Sequence, residues 1–147
     1  MSVYALINDG VVAEYPVYEG DIRLRHSNIS WPQNGFTPPE DYAYVLPEDM
    51  PVVDHTKNVI EGTPEYSANG WHQVWVVVDA SAAEIDQRVA VEWSRVRTQR
   101  NGALQATDWT QLNDAPADKA AYEVYRQQLR DVTTQTDPFN LVWPVKP

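Results

Sequence analysis

Proline placement constrains this chain more than any other feature. Seven of the eleven prolines fall in residues 16–64, and none falls between 65 and 115. Proline lacks the backbone donor and clashes inside a helix, so the first region reads as strands and turns. The proline-free stretch has room for a long uninterrupted helix. Within it, Ser81 and Glu84 form a capping box, with serine capping an amide and glutamate reaching back. A helix is expected from there to about residue 106. Ile85, Val89, Trp93, Val96, Arg100 and Ala103 or Leu104 form one stripe at alternating spacings of four and three. The stripe reads as a core-facing surface or as a seam for self-association. Arg100 and Gly102 weaken a long coiled coil, since glycine costs about 1 kcal/mol inside a helix. Arg95, Arg97 and Arg100 add a basic flank suited to local carboxylates or to a partner.

Before that helix, residues 3–7 and 11–15 flank Asn8, Asp9 and Gly10, a strong hairpin signal. Pro16 is expected to end the second strand. Residues 18–25 read as a short helical turn or an irregular strand, and residues 42–46 as a short strand ended by Pro47. A second hairpin is expected around Asn69 and Gly70, with residues 56–60 and 65–66 on one side and 71–78 on the other. Gly62 and Pro64 interrupt its first arm, which suits a bulge or a sheet edge. Its second arm becomes apolar on both faces after Gln73, as in a strand covered on both sides.

After the long helix, Tyr122, Tyr125, Leu129 and Val132 fall at i, i+3, i+7 and i+10, one face of a second helix. Pro116 sits just before it, Asp118 is placed to cap it, and Asp137 followed by Pro138 stops any continuation. Trp109 before the helix, and Phe139 and Trp143 after it, are placed to fold back and close a small core. Arg126 and Arg130 are expected to share a face and to form ion pairs with Asp108, Asp114 or Asp137. With Tyr125 and the tryptophans they would otherwise form an interface hot spot. The reading is α+β: a small antiparallel β-hairpin region over residues 1–79, then residues 80–147 with a long helix, a shorter helix and an extended aromatic tail.

Charge narrows the function. Residues 1–80 carry three basic and twelve acidic side chains, a net −9, whereas residues 81–147 carry eight and nine, a net −1. An acidic front repels phosphate backbones, which argues against nucleic acid; it reads as a solvated surface that favours solubility or as one that attracts a basic partner. There is no cysteine, and no apolar run approaches the ~20 residues that span a bilayer. MSVYALINDG lacks the basic start of a secretory signal and is not expected to be one. His26, His55 and His72 are at least 17 residues apart, without metal-ligand spacing. No P-loop, G-x-G-x-x-G or G-x-S-x-G motif occurs. Glu40, Asp41, Glu48 and Asp49 read as solvated loop charge. The chain is expected to have no catalytic residues, no metal site, no cofactor and no enzymatic activity.

The string DWTQL, followed by YRQQLRDVTTQTDPFNLVWPVKP, resembles the C-terminal region of phage tail assembly chaperone (tail fibre assembly-type) proteins. The shared pattern is DWTQL…D…W/Y-x-x-YRQ-x-LRD…P…WP. It is carried by residues 108–112, Asp114, Tyr122, Tyr125, Arg126, Gln127, residues 129–131, Trp143 and Pro144. Gly102 departs from it, standing where a large aliphatic residue is expected. The front of the chain is more weakly similar to the segment that often precedes this region. The resemblance implies a phage protein that binds the tail fibre, a trimer, and helps it assemble in the host cytoplasm. Retention on the virion tail, with baseplate proteins as further partners, is part of the same implication. The alternative is a permanent virion component, a fibre or baseplate-connecting subunit. A fibre-borne depolymerase is disfavoured by the length and by the lack of a β-helix repeat. The residues expected to carry partner binding, or to build the scaffold for it, are Trp109, Tyr122, Tyr125, Arg126, Leu129, Arg130, Phe139 and Trp143.

Overall fold

The computed structural model describes residues 2–32 and 34–147. The fold is α+β, and the chain divides into two units, Met1–Ala80 and Ser81–Pro147.

In the first unit, β1 (Val3–Asn8) and β2 (Val11–Tyr18) form the expected hairpin, with Asp9 at φ 51° and Gly10 at φ 75°. Two successive positive φ values match the right-handed twist of the flanking strands. Contrary to expectation, β2 continues through Pro16 to Tyr18. It is an edge strand in the order β2-β1-β3-β6-β5, and its register with β1 shifts between Tyr4 and Leu6, opposite Pro16; a proline is tolerated at such an irregular edge. The ambiguous segment resolves as helix α1 (Glu19–Arg25), whose Asp21 carboxylate accepts the Tyr18 amide at 3.0 Å. β3 (Tyr42–Leu46) lies where expected, antiparallel to β1. Tyr4, Val17, Ile22 and Tyr42 form the buried core, with Leu6, Trp31 and Phe36 packed against it. The Arg23 guanidinium lies 5.3 Å from the Trp31 ring and 5.2 Å from that of Phe36, so the loop after α1 closes over the sheet through aromatic and cation–π contact.

The second hairpin differs from the sequence reading. Each arm splits in two. β5 (Glu65–Ser67) pairs with β6 (Gly70–His72), while β4 (Lys57–Glu61) pairs with β7 (Trp75–Asp79) in a separate two-stranded ribbon. The tight turn is at Ala68 and Asn69, and Gly70, at φ 123°, opens β6. β6 then runs parallel to β3, an exception in an otherwise antiparallel region. The break falls at Gln73 and Val74, whose backbone groups bond Leu46 and Gly62. Gly62 lets the chain pass close there: a Cβ would lie 3.0 Å from a Val76 methyl, tighter than ordinary contact. β7 is not covered on both faces: Val76 and Val77 are exposed. Its continuous apolar run marks an uncapped ribbon. Glu48 is exposed, as a loop charge is expected to be, yet it has partners. It meets His72 Nδ1 at 2.6 Å, and its carbonyl accepts the Trp75 indole N–H at 2.8 Å.

The second unit is helical. α2 (Ala82–Gln105) starts at the expected capping box, the Ser81 amide donating to Glu84 at 2.8 Å. The chain reverses through a 3₁₀ turn (Asp108–Gln111), and α3 (Lys119–Asp131) begins at Asp118, whose carboxylate accepts the Ala121 amide at 3.0 Å. A 3₁₀ turn (Val132–Thr134) and an extended tail follow. The expected stripe of α2 is its less exposed side, yet only Val96 in it is fully buried. Val96, Tyr125, Leu129 and Val132 make the apolar core, beside the buried polar residues Thr107, Thr110 and Arg126.

Candidate functional site

The C-terminal unit is held by a polar lock. The last carbonyls of a helix lack intrahelical donors and carry the negative end of its dipole. At the end of α2, Arg126 of α3 donates to the Leu104 carbonyl at 2.6 Å and to Thr107 Oγ1 at 2.9 Å through one nitrogen. Through the other it meets Asp108 at 2.7 Å. Thr107 Oγ1 in turn donates to the carbonyls of Ala103 and Leu104, and buried Thr110 Oγ1 donates to that of Thr107 at 2.7 Å. A planar guanidinium suits this arrangement, since its donors diverge in fixed directions. The expected pairing of Arg126 with Asp108 is therefore present. Arg130 does not share that role: it is exposed, and its guanidinium donates to Gln127 at 3.4 Å.

The tail is held by an amide that imitates a strand neighbour. Gln135 donates to the Val142 carbonyl at 3.0 Å and accepts the Val142 amide at 2.9 Å. Asp137 orders the turn between them by accepting the Phe139 amide at 3.0 Å. The tail end returns to α3, where the Tyr122 hydroxyl meets the Pro147 carbonyl at 3.5 Å.

This construction sorts the eight residues singled out from the sequence. Tyr125, Arg126 and Leu129 are interior. Trp109 is 45% exposed; its indole N–H donates to the Ala106 carbonyl at 3.2 Å, and its ring lies 6.2 Å from that of half-buried Tyr122. Phe139, also exposed, lines an open groove of about 500 Å³ with Glu84, Gln87, Arg88, Val91 and Glu92 of α2. Half-buried Trp143 lines another of about 440 Å³ with Gln128, Val142, Pro144 and Val145. Sequence reasoning missed Val91, Leu112, Val124, Val142 and Val145, all exposed. Val91 and Val124 carried a usable signal: each is an apolar residue off the core stripe of its helix. In the basic flank, Arg95 pairs with Glu92, which holds the Glu92 carboxyl below its ordinary pKa. Arg97 lies 6.0 Å from the Trp93 ring, and Arg100 bonds Asn101 and Thr133.

The segment so constructed coincides with a known family. Residues 93–147 match the family model described as phage tail assembly chaperone protein. The C-terminal part of the chain is similar to the phage tail assembly chaperone family. The match supports a role in phage tail assembly, and its description is that of a chaperone, not of an enzyme. It spans the second half of α2, the Arg126 lock, α3 and the tail, and leaves residues 1–92 outside. No curated protein and no solved structure matches the chain. Among the described residues, no cluster of His, Asp or Glu is arranged to hold a metal ion. No helix among them is long and apolar enough to cross a membrane.

Proposed function

We propose that this chain binds the tail fibre during assembly through the outer surface of its C-terminal unit. Trp109, Tyr122, Phe139 and Trp143 serve as aromatic anchors, with the valines beside them completing the contact. The observation that carries the reading is the separation of two apolar sets in a segment matched to the chaperone family. One set, Val96, Tyr125, Leu129 and Val132, builds the core. The other stays at least partly in water, with Trp109 45% and Phe139 42% exposed and Val142 and Val145 beside them 78% and 88% exposed. Large rings in such positions bury much area at little entropy cost when a partner arrives. A chaperone of this kind covers apolar fibre surface until the trimer closes, which calls for a rigid presenting surface and no catalytic pocket.

The test is co-expression with a phage tail fibre protein, followed by pull-down. A complex is expected, and Trp109→Ala with Trp143→Ala should weaken it while leaving the helical signal intact. Absence of a complex, with fibre trimers forming normally without this chain, defeats the proposal. Co-purification with intact particles at fixed copy number would instead make the chain a permanent virion subunit.

A further inference from the structure

We infer that the β4–β7 ribbon of the N-terminal unit is a docking site for an extended, alternately apolar and basic segment of another protein, added as a third strand beside β7. This region lies outside the residues matched to the chaperone family.

The ribbon has two strands, and among the described residues no third strand pairs with the outer edge of β7. Two strands alone are marginal in water, and an open edge is a template for another strand. In its register, Ile60 faces Val76 and Val59 faces Val77. Cross-strand partners share a face. Ile60 is 50% exposed, Val76 40% and Val77 47%, so apolar side chains stay in water on both faces. A natural edge is usually blunted by charge, proline or a bulge. β7 reads Trp-Val-Val-Val-Asp and carries only the terminal Asp79.

Charge decides the occupant. The unit's three cations are already engaged inside it: Arg23 with Glu19, Arg25 with Glu14, and Lys57 with Asp79. Its formal charge remains −9 over residues 1–80. Two copies of a surface with that charge repel each other, which disfavours a second copy, whereas a basic segment is drawn in. β7 is the better edge for it, because Lys57 stands on β4 and Asp79 on β7. The apolar residues of the incoming strand would extend the faces at Val76 and Val77, and its basic residues would meet the surrounding field.

The test uses the full chain and three labelled peptides of equal length, alternating valine with lysine, serine with lysine, and valine with glutamate. Fluorescence anisotropy at low ionic strength should show saturable binding of the valine–lysine peptide only. Amide exchange in the unmodified protein should slow in residues 75–79 when it binds. Ile60→Ser with Val76→Ser should weaken binding roughly tenfold or more, the effect of about 1.4 kcal/mol, while Val124→Ser in the other unit leaves it unchanged. Equal binding of the serine–lysine peptide would reduce the site to general acidity and overturn the inference. So would binding of the valine–glutamate peptide, failure of the valine–lysine peptide to bind, or protection elsewhere than β7. A dimer in sedimentation that Ile60→Ser with Val76→Ser dissolves would assign the ribbon to a second copy and overturn it as well. The exchange measurement needs no variant, so it decides the matter even if the double substitution unfolds the ribbon.

Discussion

At the scale of single residues, Arg126 shows how a charge can be buried and still stabilise. It is 9% exposed, yet three acceptors converge on it. A hydrogen bond to a charged group is worth ~1.5–3 kcal/mol, and stranded partners add their own desolvation cost. Arg126→Ala is therefore expected to destabilise the C-terminal unit by roughly 2–4 kcal/mol, read as a lower urea midpoint for loss of helical signal. Arg126→Lys should recover less than half of that, because one ammonium cannot reach three diverging acceptors. Arg130→Ala should move the midpoint by under about 0.5 kcal/mol, as exposed substitutions do. Equal effects at 126 and 130 would refute the lock. Asp108 was among the partners expected for both arginines and pairs with Arg126 alone, because four-residue spacing could not say which would turn inward. The carbonyl of Leu104 and the hydroxyl of Thr107 made that choice, and neither is visible as a partner in a linear pattern.

Tyr15 makes a second prediction at this scale. It is partly buried, and its hydroxyl donates to Glu61; burial first, then that bond, push its pKa well above the ordinary 10.0. A group whose folded pKa is raised contributes stability that is whole below the unfolded value and is lost as pH climbs past it. Folding should therefore weaken above pH 10, and less so in Tyr15→Phe. In a phenolate absorbance titration, the difference between the parent and Tyr15→Phe should show no ionisation step near pH 10 while the protein stays folded. A normal step there would mean that the hydroxyl is free of Glu61.

At the scale of elements, legibility followed period and capping chemistry. The Asp9 and Gly10 turn, the Ser81 box, the Asp118 cap and the Tyr125, Leu129 and Val132 face were all readable, because each is fixed by residues a few positions apart. The second hairpin was misread for the converse reason. Its strands divide between two sheets, and what divides them, the bonds of Leu46 and Gly62 to Gln73 and Val74, joins positions far apart in sequence. The tail lay between these cases: its aromatics were seen, its anchor at Gln135 was not. Core and anchor should separate by experiment. Leu129→Ala empties a fully buried site and should cost about 2–5 kcal/mol, unfolding the unit at lower urea. Gln135→Ala should leave that midpoint within about 0.5–1.5 kcal/mol, the range of one ordinary hydrogen bond, while the Val142 amide exchanges much faster. Unchanged exchange at Val142 would show that the tail is held by its rings alone.

At the scale of the whole molecule, the two units differ in kind. The first is a mixed sheet with a charge of −9; the second is a helical hairpin of nearly balanced charge. Each has its own apolar core, Tyr4, Val17, Ile22 and Tyr42 in one and Val96, Tyr125, Leu129 and Val132 in the other. A unit with its own core can fold alone. The junction is also marked chemically, since Ser81 starts α2 with a cap supplied entirely from within the second unit. Residues 81–147 expressed alone are thus expected to keep a helical spectrum and a cooperative melt, and to retain fibre binding if the outer rings carry it. Residues 1–80 alone should retain binding of the basic peptide and none of the fibre binding. The family match begins at residue 93, inside α2, so a fragment cut there would lose the Ser81 cap, worth about 1 kcal/mol, and three turns of helix. That shorter fragment should melt well below the longer one. If both melt alike, the first half of α2 contributes nothing to the unit, and its stripe at Ile85 and Val89 is left over for a partner.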